Sequence, residues 1–116
     1  MKYLCLVYME QRTMDALSPV EDKDLTRDSR AYDEELRRSG HYLVSQALHP
    51  TSSATTVRVR NGRVSTTDGP FAETKEHLGG FILIEARDLN EAIQVAAGIP
   101  LAKLGSIEVR PVMGLG

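Results

Sequence analysis

The sequence predicts an α+β fold with an antiparallel sheet, on three observations. Two segments, residues 2–9 (KYLCLVYM) and 80–86 (GFILIEA), are apolar on both alternating faces, as expected of strands covered from both sides. Two further stretches carry matched helix-start and helix-stop signals. Between them, Asn61-Gly62 joins two short alternating runs, the signature of a two-residue hairpin.

In order, residues 2–9 place Tyr3, Cys5, Val7 and Met9 on one face and Leu4, Leu6 and Tyr8 on the other. A polar stretch follows. Ser18-Pro19-Val20-Glu21 then supplies an N-cap, a proline at the first helical position and a capping-box acid, so a long helix starts there. Leu25, Tyr32 and Leu36 recur at helical spacing, Arg30/Glu34, Asp33/Arg37 and Glu34/Arg38 pair on the wet side, and Gly40 ends the helix. Residues 41–48 (HYLVSQAL) read as the second strand, interrupted by Pro50 and the TSSATT run. In the hairpin, 55–60 against 63–67, Val59 faces Val64 and Arg60 faces Arg63. Residues 80–86 form a central strand. Asp88 and Glu91 open a second helix with the apolar stripe Leu89, Ala92, Ile93 and Ala96, stopped by Gly98 and Pro100. The last strand, 106–112, points Ile107 and Val109 one way, Glu108 and Arg110 the other.

The order β-α-β, hairpin, β-α-β is the ferredoxin-like plait, with both helices on one face of a four-stranded sheet. Two helices cover one face only, yet the central strands are apolar on both. An identical subunit is the simplest cover for the second face, so a homodimer is expected. Burying several hundred Å² at about 25 cal/mol per Å² contributes on the order of 10 kcal/mol, more than association is expected to cost.

A chain of 116 residues, 41% hydrophobic, builds one domain over 1–116 with one packed core. Its 14 basic and 16 acidic side chains give a net charge of -2 with no basic cluster to follow a phosphate backbone, which argues against nucleic acid. No apolar run approaches the roughly 18–20 residues that cross a bilayer. The N-terminal run meets Glu10 and has no small-residue cleavage site, so no membrane association is expected, and the location should be cytoplasmic. Cys5, the single cysteine, excludes an intrachain disulfide or a cysteine zinc cage and reads as a core residue. His41, His49 and His77 lack metal-site spacing, and no phosphate loop, dinucleotide fingerprint or nucleophile elbow occurs, so neither metal nor cofactor is expected.

The run Asp68-Gly69-Pro70-Phe71-Ala72-Glu73-Thr74-Lys75-Glu76, followed by Leu78-Gly79-Gly80-Phe81, resembles the signature of the DGPF branch of the YCII-like family. Met1-Lys2-Tyr3, Ser39-Gly40, Ala92 to Ala97 and Glu108-Val109-Arg110-Pro111-Val112 extend the likeness over nearly the whole chain. The resemblance implies a dimeric α/β barrel of two face-to-face sheets, with a small-molecule cleft near the interface and acidic residues in it. It implies small enzymes without fixing a reaction, and a genomic setting near sigma-factor-like regulators. Other branches carry a histidine in or near the first helix as half of a His/Asp pair; residues 19–39 here contain none, so that pair does not carry over.

Asp68 either caps its own turn as an Asx motif, with Gly69 free to take positive φ, or is presented into the dimer cleft as a general base beside Phe71. Phe71 is expected to anchor into the core rather than serve as a stacking platform. Glu73, Lys75 and Glu76 form either a solvated charge run or a polar wall in which Lys75 partners Asp68. Gly79 and Gly80 permit a bulge or close backbone approach, or a hinge. Glu108 and Arg110 share a face; a salt bridge across the dimer is the simpler reading, anchoring of an anionic ligand the other. His49, beside Pro50, is either structural or reaches the same cleft. His41, Arg58 and Tyr8 are weaker candidates.

The leading expectation is a small-molecule enzyme using acid/base chemistry in an interface cleft, with Asp68, Lys75 and His49 catalytic and Phe71, Glu73, Glu76, Glu108 and Arg110 binding the ligand. The alternatives are a non-catalytic metabolite-binding or regulatory dimer, and a purely structural dimerisation module.

Overall fold

The doubly apolar segment Lys2–Met9 forms strand β1 inside a four-stranded antiparallel sheet, in a computed structural model that describes residues 1–114. The chain continues through a short helix α1 (Gln11–Asp15), the long helix α2 (Pro19–Arg38), β2 (Tyr42–Ala47), β3 (Thr55–Arg60), β4 (Arg63–Asp68), β5 (His77–Glu85), α3 (Leu89–Ala97) and β6 (Ser106–Pro111). The sheet order is β2-β5-β1-β6 with all neighbours antiparallel, consistent with a ferredoxin-like α+β fold. Strands β3 and β4 form a separate two-stranded ribbon in the expected register, Val59 opposite Val64 and Arg60 opposite Arg63. No helix among the described residues is long and apolar enough to cross a membrane.

Local chemistry accounts for the boundaries. Ser18 Oγ accepts the Glu21 N–H at 3.1 Å while Glu21 Oε1 accepts the Ser18 N–H at 3.0 Å, closing the capping box of α2. Asp88 Oδ1 accepts the Glu91 N–H at 2.9 Å and starts α3. Helix α1 was not legible: the polar stretch after β1 winds up when Thr13 and Met14 donate to the Glu10 carbonyl at 3.1 and 3.3 Å. Strand β5 also starts earlier than the apolar pattern, at His77, because the pairing with β1 skips Gly79: Val7 faces Gly80, and Tyr8 faces Leu78.

The core lies between one sheet face and the helices. Tyr3, Cys5 and Val7 of β1 and Ile82 and Ile84 of β5 pack with Leu36 of α2, Ala92, Val95 and Ala96 of α3, and Ile99. The stripe of α3 is therefore Ala92, Val95 and Ala96, whereas Leu89 and Ile93, expected on it, are about half exposed. Both lie on its flanks, because the i, i+3, i+4 positions of Ala92 set the face that meets the sheet.

The opposite sheet face bears only partly buried apolar side chains. Strand register lines up Val44, Leu83, Leu4 and Arg110 in one row and Gln46, Phe81, Leu6 and Glu108 in the next. The molecule is flat, 47 × 46 × 19 Å, and its radius of gyration of 16.1 Å exceeds the roughly 13 Å of a compact chain this long. Its accessible surface is 8330 Å², against about 6,300 Å² for a compact monomer of its mass.

Candidate functional site

A cavity of about 140 Å³ opens between α2 and the β2–β5 side of the sheet. Val7, Ile82, Ile99 and Leu101 give it an apolar floor, and Ser29, Asp33, Ser45 and Gln46 supply polar groups. Ser29, Tyr32 and Asp33 reach it together because i, i+3 and i+4 share one helical face. Ser45 Oγ donates to Asp33 Oδ2 at 3.0 Å, and Tyr42 Oη lies 2.8 Å from Ser45 Oγ. Arg37 covers the Tyr42 ring, its guanidinium carbon 4.2 Å from the centroid. Tyr32 Oη donates to the Val95 carbonyl at 2.6 Å, tying α2 to α3. Burial foremost, and the charge of Glu35 next, push the Tyr32 phenol up, so it stays a neutral donor.

The backbone of β5 must approach closely here. A Cβ on Gly80 would lie 2.8 Å from the Gln46 carbonyl oxygen, and one on Gly79 would run into the Met9 side chain. The bulge and close approach expected of this pair are both present.

The residues singled out in the sequence fall in three places. Lys75, Glu76 and Glu108 come together in an open groove with Tyr8, Glu10, Thr74 and Ser106. Lys75 Nζ lies 3.5 Å from Glu10, which also meets Arg12 at 3.6 Å, so Glu10 rather than Asp68 is its carboxylate partner. Ser106 Oγ donates to Glu76 Oε2 at 3.2 Å. Glu108 pairs with Arg110 of its own strand at 3.8 Å, an exposed ion pair within one chain. His49 lies apart, past the end of β2, in a groove with His77, Met9 and Met14.

Asp68 is the last residue of β4 and is exposed; among the described residues its carboxylate accepts no hydrogen bond and joins no ion pair. The Asx cap does not form. The turn is closed instead by the Gly69 N–H on the Ala54 carbonyl at 2.7 Å and by Thr56 Oγ1 on the Gly69 carbonyl at 2.8 Å, with Gly69 at φ +102°. Phe71, expected in the core, is 80% exposed, in the segment between the end of β4 and the start of β5. Glu73 is exposed beside it.

Cys5 is fully buried and desolvation pushes its thiol up to about 11, which leaves it an inert core residue as expected. No group of three or more His, Cys, Asp or Glu among the described residues could hold a metal ion. Outside the cavity, His41 Nε2 lies 3.1 Å from Glu91 Oε1, and Arg87 Nε lies 2.7 Å from Glu91 Oε2.

Residues 1–115 match the YCII-related domain. The chain belongs to that family. A YCII-related chain of similar sequence is the uncharacterized protein R00369 of Rhizobium meliloti (strain 1021), 39% identical over 113 residues, which are 96% of this chain and 91% of that one. A similar solved structure is the 5-chloro-2-hydroxyhydroquinone dehydrochlorinase TftG from Burkholderia phenoliruptrix AC1100, in complex with 2,5-dihydroxybenzoquinone. It superposes with a TM-score of 0.57 over 97% of this chain and 94% of that one at 17% identity, a likeness of fold.

Sequence reasoning about this YCII-related domain missed Asp33, Ser45 and Tyr42. Asp33 reads as the wet-side partner of Arg37 at i+4. Its other spacing was the usable signal: Ser29, Asp33 and Leu36 stand at i, i+4 and i+7, one stripe that ends in a core residue.

Proposed function

We propose that this YCII-related domain is a homodimeric small-molecule enzyme that performs acid/base chemistry on a hydroxylated, single-ring-sized ligand in the cavity beneath α2. The observation that carries the reading is the Asp33 carboxylate at the cavity wall, oriented by Ser45 at 3.0 Å. A cavity near 140 Å³ is close to the roughly 150 Å³ that accommodates benzene in an apolar protein interior. Asp33 Oδ2 is engaged by Ser45, which leaves Oδ1 to accept a proton or hydrogen bond from a ligand hydroxyl. The apolar floor of Val7, Ile82, Ile99 and Leu101 takes the ring. The related fold of the Burkholderia dehydrochlorinase, solved with a dihydroxybenzoquinone, supports a ligand of this size and class.

The homodimer reading rests on surface. An excess of about 2,000 Å² over a compact monomer is more than the roughly 800 Å² per partner of a standard interface, and the apolar rows of the open sheet face lie within it. Stacking two such faces builds a closed, barrel-like dimer.

A binding role without turnover is favoured by one observation: among the described residues Asp33 is the only carboxylate, and with the tied Tyr32 phenol the only ionisable side chain, that lines the cavity. One experiment separates the readings. Hydroxylated single-ring compounds are screened by thermal shift and every hit is incubated and recovered by chromatography, for the wild type and Asp33→Asn. The enzyme reading expects stabilisation and conversion, both lost in Asp33→Asn; recovery of the unchanged ligand leaves the binding reading, and hits indifferent to Asp33→Asn overturn both.

A further inference from the structure

The β3–β4 ribbon is a two-faced arm that pairs with no other strand among the described residues. Register puts Val57, Val59 and Val64 on one face, all more than half exposed, and Arg58, Arg60 and Arg63 on the other. None of the three arginines joins an ion pair among the described residues; Arg60 donates only to the Val59 carbonyl. A bare two-stranded ribbon is marginal in water, so valines left exposed along it ask for a cover.

Sheet topology indicates where a second copy offers one. Ala47, Gly80, Val7 and Ile107 form one row across β2, β5, β1 and β6, so the end of β2 from which the arm departs and the start of β6 lie at the same end of the sheet. The groove of Tyr8, Glu10, Lys75, Glu76, Ser106 and Glu108 lies at that end, on the β1–β6 side. A two-fold axis parallel to the strands, stacking two sheets face to face, sets β2 of one copy over β6 of the other and leaves both at the same end. Each arm therefore departs beside the other copy's groove. Strands of six residues extend about 20 Å, twice the roughly 10 Å between stacked sheets, so the arm is long enough to reach the other copy.

Charge fits the same seat. The groove holds Glu10, Glu76 and Glu108 with one lysine, Lys75. Arg12 and Arg110 reach Glu10 and Glu108 only through exposed pairs at 3.6 and 3.8 Å, and Glu76 has no cationic partner among the described residues. The arm brings three arginines and, before Asp68, no acid.

We infer that the arm is a clasp for a second copy of this chain: its Arg58, Arg60 and Arg63 meet the carboxylates of the other copy's groove, and Val57, Val59 and Val64, with Phe71 at its root, cover apolar surface at the rim of the interface. The inference rests on the homodimer reading and assigns the Asp68-Gly69-Pro70-Phe71 turn to assembly, as the rigid root of the arm, in place of catalysis. Charge pairing makes the clasp salt-sensitive, whereas the apolar sheet contact is much less so.

The test uses the full chain carrying Ser65→Cys, opposite Arg58 on the arginine face, and Ser106→Cys together, with each single variant as control, treated with a short bismaleimide. Cys5 is fully buried and stays out of the reaction. A covalent dimer several-fold more abundant in the double variant than in either single variant, and suppressed by Arg58→Glu/Arg60→Glu/Arg63→Glu, is the result expected. A dimer in solution that gives no such excess, or a cross-link confined to monomer mass, overturns the clasp and leaves the homodimer standing. A monomer at all accessible concentrations overturns both.

Discussion

Ser45 donates its only hydroxyl hydrogen to Asp33 across 3.0 Å, joining edge strand β2 to helix α2 at the cavity wall. With that hydrogen committed, Tyr42, 2.8 Å away, must be the donor to Ser45, and the three side chains form a directed chain ending on the carboxylate. Asp33 is thus held in one orientation before any ligand arrives, as a proton acceptor requires.

Removing either member should cost little stability and much binding. Ser45→Ala and Asp33→Asn each delete or weaken one part-buried hydrogen bond, about 1 kcal/mol by urea unfolding. The stabilisation by ligand should disappear in Asp33→Asn but only weaken in Ser45→Ala, which keeps the carboxylate; a thermal-shift titration of both variants checks this.

Glycines 79 and 80 should respond differently to one added methyl. In Gly80→Ala the Cβ meets the Gln46 backbone carbonyl, which cannot swing away, so about 1–3 kcal/mol is lost and the β2–β5 pairing loosens. Gly79→Ala meets the end of the flexible Met9 side chain and should cost less. Urea midpoints of the two variants decide.

Glu91 should give the fold an acid-side dependence. The Arg87 backbone N–H leads in holding its carboxyl below the ordinary range; the hydrogen bond to His41 and the charges of Arg87 and His41 add to this, against desolvation. Folding then favours the ionised form, so the contribution is complete above the unfolded value of about 4.3 and is lost as pH falls through the lowered folded value. The melting temperature of wild type should fall more steeply than that of Glu91→Gln as pH is lowered through this range.

The proposed homodimer should dissociate when the open face is charged. Leu6→Glu places a carboxylate between Phe81 and Glu108 in the middle of that face, where burial without a partner is costly. Light scattering should give dimer mass for wild type and monomer mass for the variant, with the far-ultraviolet circular dichroism preserved because Leu6 lies outside the core.

Most of the fold was legible because its signals are local: the capping box at Ser18 and Glu21, the Asn61-Gly62 turn and the double apolarity of Lys2–Met9 each act through neighbouring residues. Helix α1 was hidden because its polar residues carry no apolar stripe. The site was less legible, since Asp33 and Ser45 meet only through the packing of α2 on β2, twelve positions apart in sequence. The family motif drew the reading to Asp68 and Phe71, which are both exposed at the root of the arm.

The most direct test of the ligand site is a two-dimensional amide spectrum recorded while a hydroxylated single-ring compound is titrated into the wild-type protein. Shifts concentrated at Ser29, Asp33, Ser45, Gln46 and Gly80, and absent from the same titration of Asp33→Asn, are the predicted result. Shifts centred instead on Thr74, Lys75 and Glu76, or shifts at the cavity that persist in Asp33→Asn, would contradict it.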